Sequence, residues 1–236
     1  MPFLLRFDGV DDLVDIRPYF ITIGIGDTLT IEWENRNLGK DAKIIGTLNN
    51  FNHVFERTAA GVYRYRTGGS PVRTISSANL SGRIVNTLTR TAAGVELTEN
   101  GVFLGTFADT GNSGFNIFGA WSGGSNPVNY GEIDIYFVSM SNASVDVFNY
   151  DPSASNGTGT TLIDTAGGNN GTLVNFPTDD SQWVFYDDGG EPPVEETLLK
   201  YWNGSAWVSK PLKMWNGSDW IRAPLKRWNG SAWVEV

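Results

Sequence analysis

Cysteine is absent from the 236 residues, and histidine occurs once, as His53. The lack of cysteine excludes disulfides, thiolate chemistry and zinc sites built on cysteine. A Ser-His-Asp triad would have to use His53, and no G-x-S-x-G motif supplies its serine. We therefore expect His53 to be a surface or packing residue.

Long apolar runs are also missing, so we expect no membrane-spanning segment. The first ten residues, MPFLLRFDGV, lack the basic region of a secretion signal, and we expect none. The net charge of −9 is uneven, since residues from Lys200 onward carry +4 and the rest carries −13. An acidic body repels polyanions, which argues against nucleic-acid binding. The basic tail either meets an acidic neighbour, including another copy of the chain, or simply keeps a Trp-rich segment in solution.

Alternating apolar and polar residues predict strand after strand, with no convincing helix. In TLTIEWEN, Leu29, Ile31 and Trp33 share one predicted face. In EIDIYF, alternation places Ile133, Ile135 and Phe137 on one face and Glu132, Asp134 and Tyr136 on the other.

Turn signals support an antiparallel arrangement. If Asn100-Gly101 forms a two-residue type I′ turn, Leu97 lies directly across from Leu104. RTAAGV occurs twice, at 57–62 and 90–95, and each copy joins two strand-like runs. Its glycine supplies the positive φ that such a loop requires. Turn chemistry alone accounts for the match, so we infer no duplication.

Composition divides the chain into three parts. Residues 1–187 combine many short strands with frequent turns, which predicts an all-β antiparallel sandwich. Residues 188–197 are acidic and contain Pro and Gly, which is typical of a linker. Residues 198–236 hold three copies of W-N-G-S-x-W spaced thirteen residues apart.

Four stretches of the first part resemble the laminin-G-like, concanavalin A-like lectin and glucanase family. They are LLRFDGVDDLVDI, GVELTENGVFLGTF, FNIFGAWSGGSNPVNYGEIDIYFVSMSN and GTGTTLIDTAGGNNGTLVNFPTDDSQWVFYD, in family order over residues 3–187. The resemblance implies a jelly-roll sandwich of two antiparallel sheets. Its members bind carbohydrate or protein, and some hydrolyse polysaccharides, so the fold does not choose among these functions.

A comparison with the family's retaining glucanases argues against an enzyme. Those enzymes carry E-x-D-x-E on one strand, with the three carboxyls on one face. Glu132 and Asp134 match the first two positions, but Tyr136 occupies the position of the acid/base glutamate. Without a proton donor a retaining mechanism loses its first step. We therefore expect no hydrolysis and interpret Glu132 and Asp134 as the polar face of a strand.

Sugar binding remains an alternative on the same domain. Trp121, in GAWSGGSN, is the best candidate for stacking against a sugar, with Asp134 and Tyr136 as further candidates. The competing interpretation of Trp121 is a tryptophan that plugs one end of the sandwich.

The resemblance also implies a calcium site at the sandwich rim. Asp8, Asp11 and Asp12 are weak candidates for it, because acidic turns suit a hard cation but are also ordinary turn chemistry. Apart from that ion we predict no cofactor.

The repeats predict three hairpins, each with both tryptophans on one face. A two-residue turn at Asn203-Gly204 would make Trp202 and Trp207 diagonal neighbours, and a four-residue loop would make them direct partners. Thirteen residues cannot bury such a face, and even three repeats are near the lower size limit for folding alone. We therefore predict an assembly surface made of Trp202, Trp207, Trp215, Trp220, Trp228 and Trp233, with an aromatic sugar-binding strip as the alternative.

This tail resembles the W-N-G-S-x-W-V repeats that end many virion proteins of tailed bacteriophages. The resemblance implies a non-enzymatic virion protein assembled in the bacterial cytoplasm, as a fibre, tail-tip or head-surface component. Its expected partners are copies of itself, with a trimer as first guess, and other virion proteins. The alternative is a carbohydrate-binding module or adhesin for host-surface glycans.

Overall fold

A computed structural model describes residues 2–48, 53–68, 70–77, 81–121, 129–142 and 145–186, together with six short strands after residue 198. The chain divides into two compact units, Met1–Phe185 and Tyr186–Val236. The predicted linker 188–197 lies outside the described residues. Within the described parts of the chain, no helix is long and apolar enough to cross a membrane.

The described residues of the first unit form eighteen strands and one short 3-10 turn, Pro152–Ser155. In chain order the strands are β1 Phe3–Arg6, β2 Leu13–Asp15, β3 Asp27–Asn35, β4 Ala42–Gly46, β5 Val54–Arg57, β6 Val62–Arg66, β7 Arg73–Ser76, β8 Arg83–Thr91, β9 Gly94–Glu99, β10 Val102–Phe107, β11 Ile117–Phe118, β12 Ala120–Trp121, β13 Asn129–Tyr130, β14 Ile133–Asn142, β15 Val145–Tyr150, β16 Thr161–Leu162, β17 Gly171–Val174 and β18 Trp183–Phe185.

Two antiparallel sheets form a sandwich, which confirms the predicted fold class. Sheet I has the order β10-β9-β8-β3-β14-β1-β18, with β15 also paired to β14. Sheet II has the order β16-β17-β2-β11-β4-β5-β6-β7. The pair β12–β13 is a separate two-stranded ribbon. Neighbours in each sheet are often far apart in sequence, since β18 pairs with β1 and β17 pairs with β2.

A single apolar core fills the space between the sheets. Leu29, Ile31 and Trp33 of β3 are fully buried in it, as their alternation predicts. The indole Nε1 of Trp33 donates to Asn86 Oδ1 at 2.8 Å, which satisfies its one polar atom inside the core. The core is rich in aromatic rings, and Phe55 stacks on Tyr63 with centroids 5.5 Å apart.

A β-bulge in β14 corrects the predicted faces of EIDIYF. The register against β3 shifts between Ile135 and Phe137. Ile133 and Ile135 are buried in the core as expected, but Phe137 pairs with Glu32 and is only half-buried. One extra residue moves every later side chain to the opposite face. The prediction that Phe137 shares the face of Ile133 is therefore wrong, and Val138 takes its place in the core.

A second bulge, in β10, corrects the predicted pairing of Leu97. Asn100 and Gly101 both have positive φ, 50° and 78°, as a type I′ turn requires. Leu97 nevertheless pairs with Gly105 rather than Leu104, because the register shifts between Phe103 and Gly105. The shift lets the buried Phe107 pair with Val95 on the core side.

The two RTAAGV copies form different hairpin loops. In the first, the innermost pair is Arg57 with Tyr63, which leaves the five residues 58–62 in the loop. In the second, pairing continues from Arg90 with Val95 to Thr91 with Gly94, which leaves only the two residues 92–93. Gly61 and Gly94 both have positive φ, which agrees with the predicted role of the glycine. The different registers fit convergence on turn chemistry.

In the second unit, the residues that the structure describes form three separate two-stranded hairpins. Their strands are β19 Leu199–Trp202 with β20 Trp207–Lys210, β21 Lys213–Trp215 with β22 Trp220–Arg222, and β23 Lys226–Trp228 with β24 Trp233–Glu235. In each hairpin the two tryptophans are direct cross-strand partners: Trp202 with Trp207, Trp215 with Trp220, and Trp228 with Trp233. This direct pairing is the register that a four-residue loop predicts; residues 203–206 lie outside the described residues.

Candidate binding sites on the sandwich

The glucanase-like positions lie at the start of β14, in the middle of sheet I. Asp134 is 3% exposed and accepts two hydrogen bonds from Arg6, at 2.9 Å from Nε and 2.8 Å from Nη2. Arg36 Nε lies 3.7 Å from the same carboxylate. These bonds raise the pKa of Arg6. Asp134 is thus held in an ion pair within the protein, with both oxygens occupied.

Glu132 and Tyr136 are also engaged within the protein. Glu132 accepts a hydrogen bond from Asn37 Nδ2 at 2.9 Å. The Tyr136 hydroxyl donates to Glu34 Oε2 at 3.1 Å, and the side chain is only 7% exposed. Burial, followed by the charge of Glu34, raises the pKa of Tyr136 strongly, so the phenol does not ionise near neutral pH.

An arginine covers the ring of Tyr136. The guanidinium carbon of Arg83 lies 4.2 Å from the ring centroid, and Arg83 also pairs with Glu32. A sugar cannot stack on the side of the ring that Arg83 covers. Sequence reasoning placed Glu132 and Asp134 on this face. It missed Arg6 and Arg36, which pair with Asp134, and Arg83, which covers Tyr136, because all three lie far from β14 in the sequence.

The ribbon β12–β13 carries Trp121 over sheet II. A Cβ on Gly46 would lie 2.6 Å from the Ala120 carbonyl oxygen and 3.1 Å from Trp121 Cα, so only glycine lets the ribbon approach β4 this closely. The Trp121 side chain is half-buried, and its Nε1 is buried with no hydrogen-bond partner in the described structure. A half-buried ring is compatible with both interpretations of Trp121, a surface for stacking and a plug at the end of the sandwich.

Beneath the ribbon lies a second, smaller apolar cluster. Its buried members are Leu13, Leu48, Ile117 and Ala120, with Tyr130 and Val174 packed against them. The cluster fixes the ribbon on the outer side of sheet II. Trp121 is therefore presented on a supported element rather than on a free loop.

The acidic turn Asp8–Asp12 lies beside this ribbon. Phe7 N donates to the Ile133 carbonyl at 2.9 Å, which joins the turn to the residues that follow β13. Burial, followed by the Asp11 charge, raises the pKa of Tyr130. Asp8, Asp11 and Asp12 each offer one carboxylate oxygen, and these oxygens lie within 4.8 Å of one another. The structure thus brings the predicted calcium candidates together.

A shallow cavity on sheet II was not found by sequence reasoning. It has a volume of about 240 Å³ and is lined by Ile16, Arg17, Pro18, Tyr19, Asn169 and Asn170. Its two halves come from opposite ends of the unit, and no motif joins them. The Tyr150 hydroxyl donates to the Asn169 carbonyl at 2.6 Å, which fixes one wall.

His53 is a packing residue, as predicted. It is 7% exposed, and its ring meets that of Phe115 edge-on with centroids 6.1 Å apart. Nδ1 accepts a hydrogen bond from Gly68 N at 3.1 Å. Burial lowers the pKa of His53, so the ring stays neutral at physiological pH.

Comparisons with known proteins add likeness of fold only. No protein-family model and no curated protein matches the chain. A Trypanosoma rangeli sialidase structure is similar over 60% of this chain and 26% of its own, at 18% identity and TM-score 0.42. A putative carbohydrate-binding protein from Bacteroides ovatus is similar over 73% of this chain and 58% of its own, at 13% identity and TM-score 0.48. The Ruminococcus gnavus IT-sialidase CBM40, bound to α2,6 sialyllactose, is similar over 58% of this chain and 89% of its own, at 11% identity and TM-score 0.41.

The chain spans about a quarter of the sialidase and a little over half of the Bacteroides ovatus protein. With identities below 25% and TM-scores below 0.5, none of these likenesses assigns a function. The fold class of the first unit is an all-β sandwich of two antiparallel sheets. The laminin-G-like and bacteriophage resemblances remain predictions.

Proposed function

We propose that the protein is a non-enzymatic structural protein of a bacteriophage virion. In this proposal the sandwich is displayed as a binding domain, and the tryptophan hairpins join copies of the chain to one another or to the particle. The direct cross-strand pairing of two tryptophans in every hairpin is the observation that carries the proposal.

Each tryptophan hairpin is small. Each is a separate two-stranded sheet of three or four residues per strand, and a lone hairpin of this size is marginal in water. Trp215, the one tail residue whose exposure is described, is 53% exposed in the single chain. An exposed indole is typical of the anchors of protein interfaces, and assembly of copies would bury it.

The state of the carboxylates supports a function without catalysis. A retaining glycosidase needs one carboxyl as nucleophile and another as proton donor. Here Asp134 is paired with Arg6, and Tyr136 donates to Glu34 instead of supplying an acid. Such an arrangement stabilises the sheet, and among Glu132, Asp134 and Tyr136 it leaves no group ready to protonate a leaving group.

Substitution of the tail tryptophans tests the assembly function in the full chain. Replacing Trp215 and Trp220 together by serine removes one complete cross-strand pair and should shift sedimentation velocity toward smaller species. The control replaces Val102, which is 64% exposed on the sandwich, by serine. The control should leave sedimentation unchanged. Equal sedimentation of all three proteins would contradict the assembly function.

Recognition of host-surface glycans is the second candidate function. The supported position of Trp121 favours it, because a half-buried indole on a fixed ribbon can stack against the C–H face of a sugar. Asp134 and Tyr136, the other sugar-binding candidates, are occupied within the protein, so the glycan proposal rests on Trp121.

A glycan array probed with residues 1–187 separates the two candidates. Binding that is lost in Trp121→Ala and retained in Phe103→Ala, a change at an exposed ring on β10, would favour the glycan function. Absence of binding to any glycan would leave display and assembly as the whole function.

A further inference from the structure

The shallow cavity on sheet II has walls that are held in place by the fold. On one side, the Asn169 N–H donates to the buried Asp164 Oδ2 at 3.0 Å. On the other, a tight turn is closed by a hydrogen bond from Tyr19 N to the Ile16 carbonyl at 3.0 Å. The Tyr19 ring also packs edge-on against the buried Phe148, with centroids 6.5 Å apart. A cavity whose walls are already fixed loses little conformational freedom when a partner binds.

An arginine and an asparagine give the cavity its polar groups. Asp15 holds the Arg17 guanidinium, whose Nε donates to it at 2.9 Å and whose Nη2 donates to it as well. A guanidinium fixed in this way presents a flat cationic face, and tryptophan is the ring that such a face attracts most strongly. Asn169 Nδ2 donates to the Gly167 carbonyl, while no hydrogen bond among the described residues uses Asn169 Oδ1. That oxygen can accept the N–H of an indole, which requires a partner when the ring is buried.

The size of the cavity suits a side chain of two fused rings. A cavity of about 150 Å³ holds one benzene molecule, and this cavity has a volume of about 240 Å³. Ile16, Pro18 and the Tyr19 ring supply apolar surface around it. Trp215 of the tail is 53% exposed in the single chain, so more than half of its surface is still available for burial. The cavity therefore has the room and the lining for an indole such as Trp215.

The charge around Trp215 is opposite to that of the sandwich. The register of the second hairpin, β21–β22, pairs Lys213 directly with Arg222, next to the tryptophan pair. Like charges opposite one another destabilise a strand pair, and an acidic partner offsets their repulsion. The cavity lies on the strongly acidic part of the chain. Charge therefore favours the approach of this hairpin to the sandwich of another copy over its approach to a second basic tail.

We propose that the cavity of one copy receives Trp215 from another copy, so that the chains associate head to tail. The proposal rests on the proposed assembly function and names the surface that the second hairpin binds. The indole would lie against Arg17 and Tyr19 and donate to Asn169 Oδ1. A contact between two different surfaces either closes into a ring or extends into a filament. Closure after three copies would give the expected trimer.

Sedimentation velocity of full-length cavity variants tests the proposal. Tyr19→Ala removes one wall and should weaken self-association about tenfold or more, as loss of an interface hot spot does. Asn170→Lys, at an exposed position in the lining, adds a charge that repels the basic hairpin and should also weaken it. Asn170→Asp keeps the oxygen that accepts from Asp164 N and should strengthen self-association. The control Tyr130→Ala, at a half-buried tyrosine outside the cavity, should associate as the unmodified chain does.

A mixture of two variants separates head-to-tail from tail-to-tail association. The tail variant replaces Trp215 and Trp220 by serine and keeps its cavity, whereas Tyr19→Ala keeps its tail. Each should remain a monomer alone. Their equimolar mixture should form a species of two chains, because one variant supplies the cavity and the other supplies the indole. Self-association of Tyr19→Ala alone, at the level of the unmodified chain, would instead show contact between tails and would overturn the proposal.

The remaining outcomes distinguish failure of this proposal from failure of the assembly function. If both Asn170 variants and Tyr19→Ala sediment as the unmodified chain, while the serine variant of the tail is smaller, the assembly function stands and the cavity is not its receptor. If the serine variant also sediments unchanged, both fail. Cavity variants that lose binding to a glycan array without any change in sedimentation would assign the cavity to a sugar and overturn the proposal.

Discussion

Replacing Asp134 by asparagine distinguishes a carboxylate that holds sheet I together from one kept for a ligand. Asp134 is 3% exposed and accepts two hydrogen bonds from Arg6, a bidentate arrangement that joins β14 to β1. A carboxylate kept for catalysis or binding usually reduces stability, so its removal stabilises the protein. A carboxylate that serves structure does the opposite.

The expected loss follows from the geometry. Hydrogen bonds to charged groups contribute about 1.5–3 kcal/mol each when buried. The Arg6 side chain is 37% exposed, so solvent screens part of this, and Arg36 remains to interact with the new amide only weakly. We therefore expect Asp134→Asn to lower the free energy of unfolding by about 1.5–3 kcal/mol in total.

Glu132→Gln is the matched comparison, since it removes the neighbouring charge of the same predicted motif. Glu132 is 26% exposed, and its ion partner Lys40 is 66% exposed at 4.0 Å. A pair of this kind contributes less than about 1 kcal/mol. Urea unfolding of residues 1–187, followed by tryptophan fluorescence, measures both changes. An Asp134→Asn variant as stable as the unmodified domain, or more stable, would refute the structural role and reopen a catalytic or binding one.

The remaining predictions concern His53 and the two RTAAGV loops. Because burial lowers the pKa of His53, its contribution to stability is complete above the unfolded value of about 6.5 and is lost as pH falls below it. The imidazole proton signals of this single histidine, followed by NMR from pH 7.5 to 4.5, should show a midpoint below 6.5, and a higher midpoint would contradict the burial. Gly94→Ala should destabilise the protein far more than Gly61→Ala, since a Cβ at Gly94 would lie 2.1 Å from the Phe107 carbonyl oxygen. At Gly61, where φ is 76°, the expected cost in the free energy of unfolding is about 1–2 kcal/mol. Equal losses in thermal unfolding would contradict the difference between the loops.

Sequence alternation correctly predicted the strands that run without interruption. Leu29, Ile31 and Trp33 lie in the core because no extra residue enters β3, whose register against β8 is even along its length. The same rule fails at Phe137 and Leu104, where one extra residue enters a strand. Each bulge depends on packing against other strands, as in the pairing of the buried Phe107 with Val95. The alternation of residues within one strand carries no information about such packing.

The sequence was enough to predict which residues form the candidate sites, but not their burial or their interaction partners. The Asp8–Asp12 cluster follows from the sequence, since its members are neighbours along the chain. That Asp12 is buried with a free oxygen depends on how the turn packs, which a motif does not reveal. Likewise, the sequence suggests Asp134 and Tyr136 as ligand-binding groups, whereas distant Arg6 and Arg83 occupy them.

The most direct measurement of the assembly role is the mass of the protein in solution by light scattering. The full chain and a truncation after residue 196 are compared at equal concentration. We predict several times the chain mass of 25.8 kDa for the full protein, threefold if it is a trimer, and a folded monomer for the truncation. A full-length protein that remains a monomer at all concentrations, with the same state in both proteins, would contradict self-association through the tryptophan hairpins.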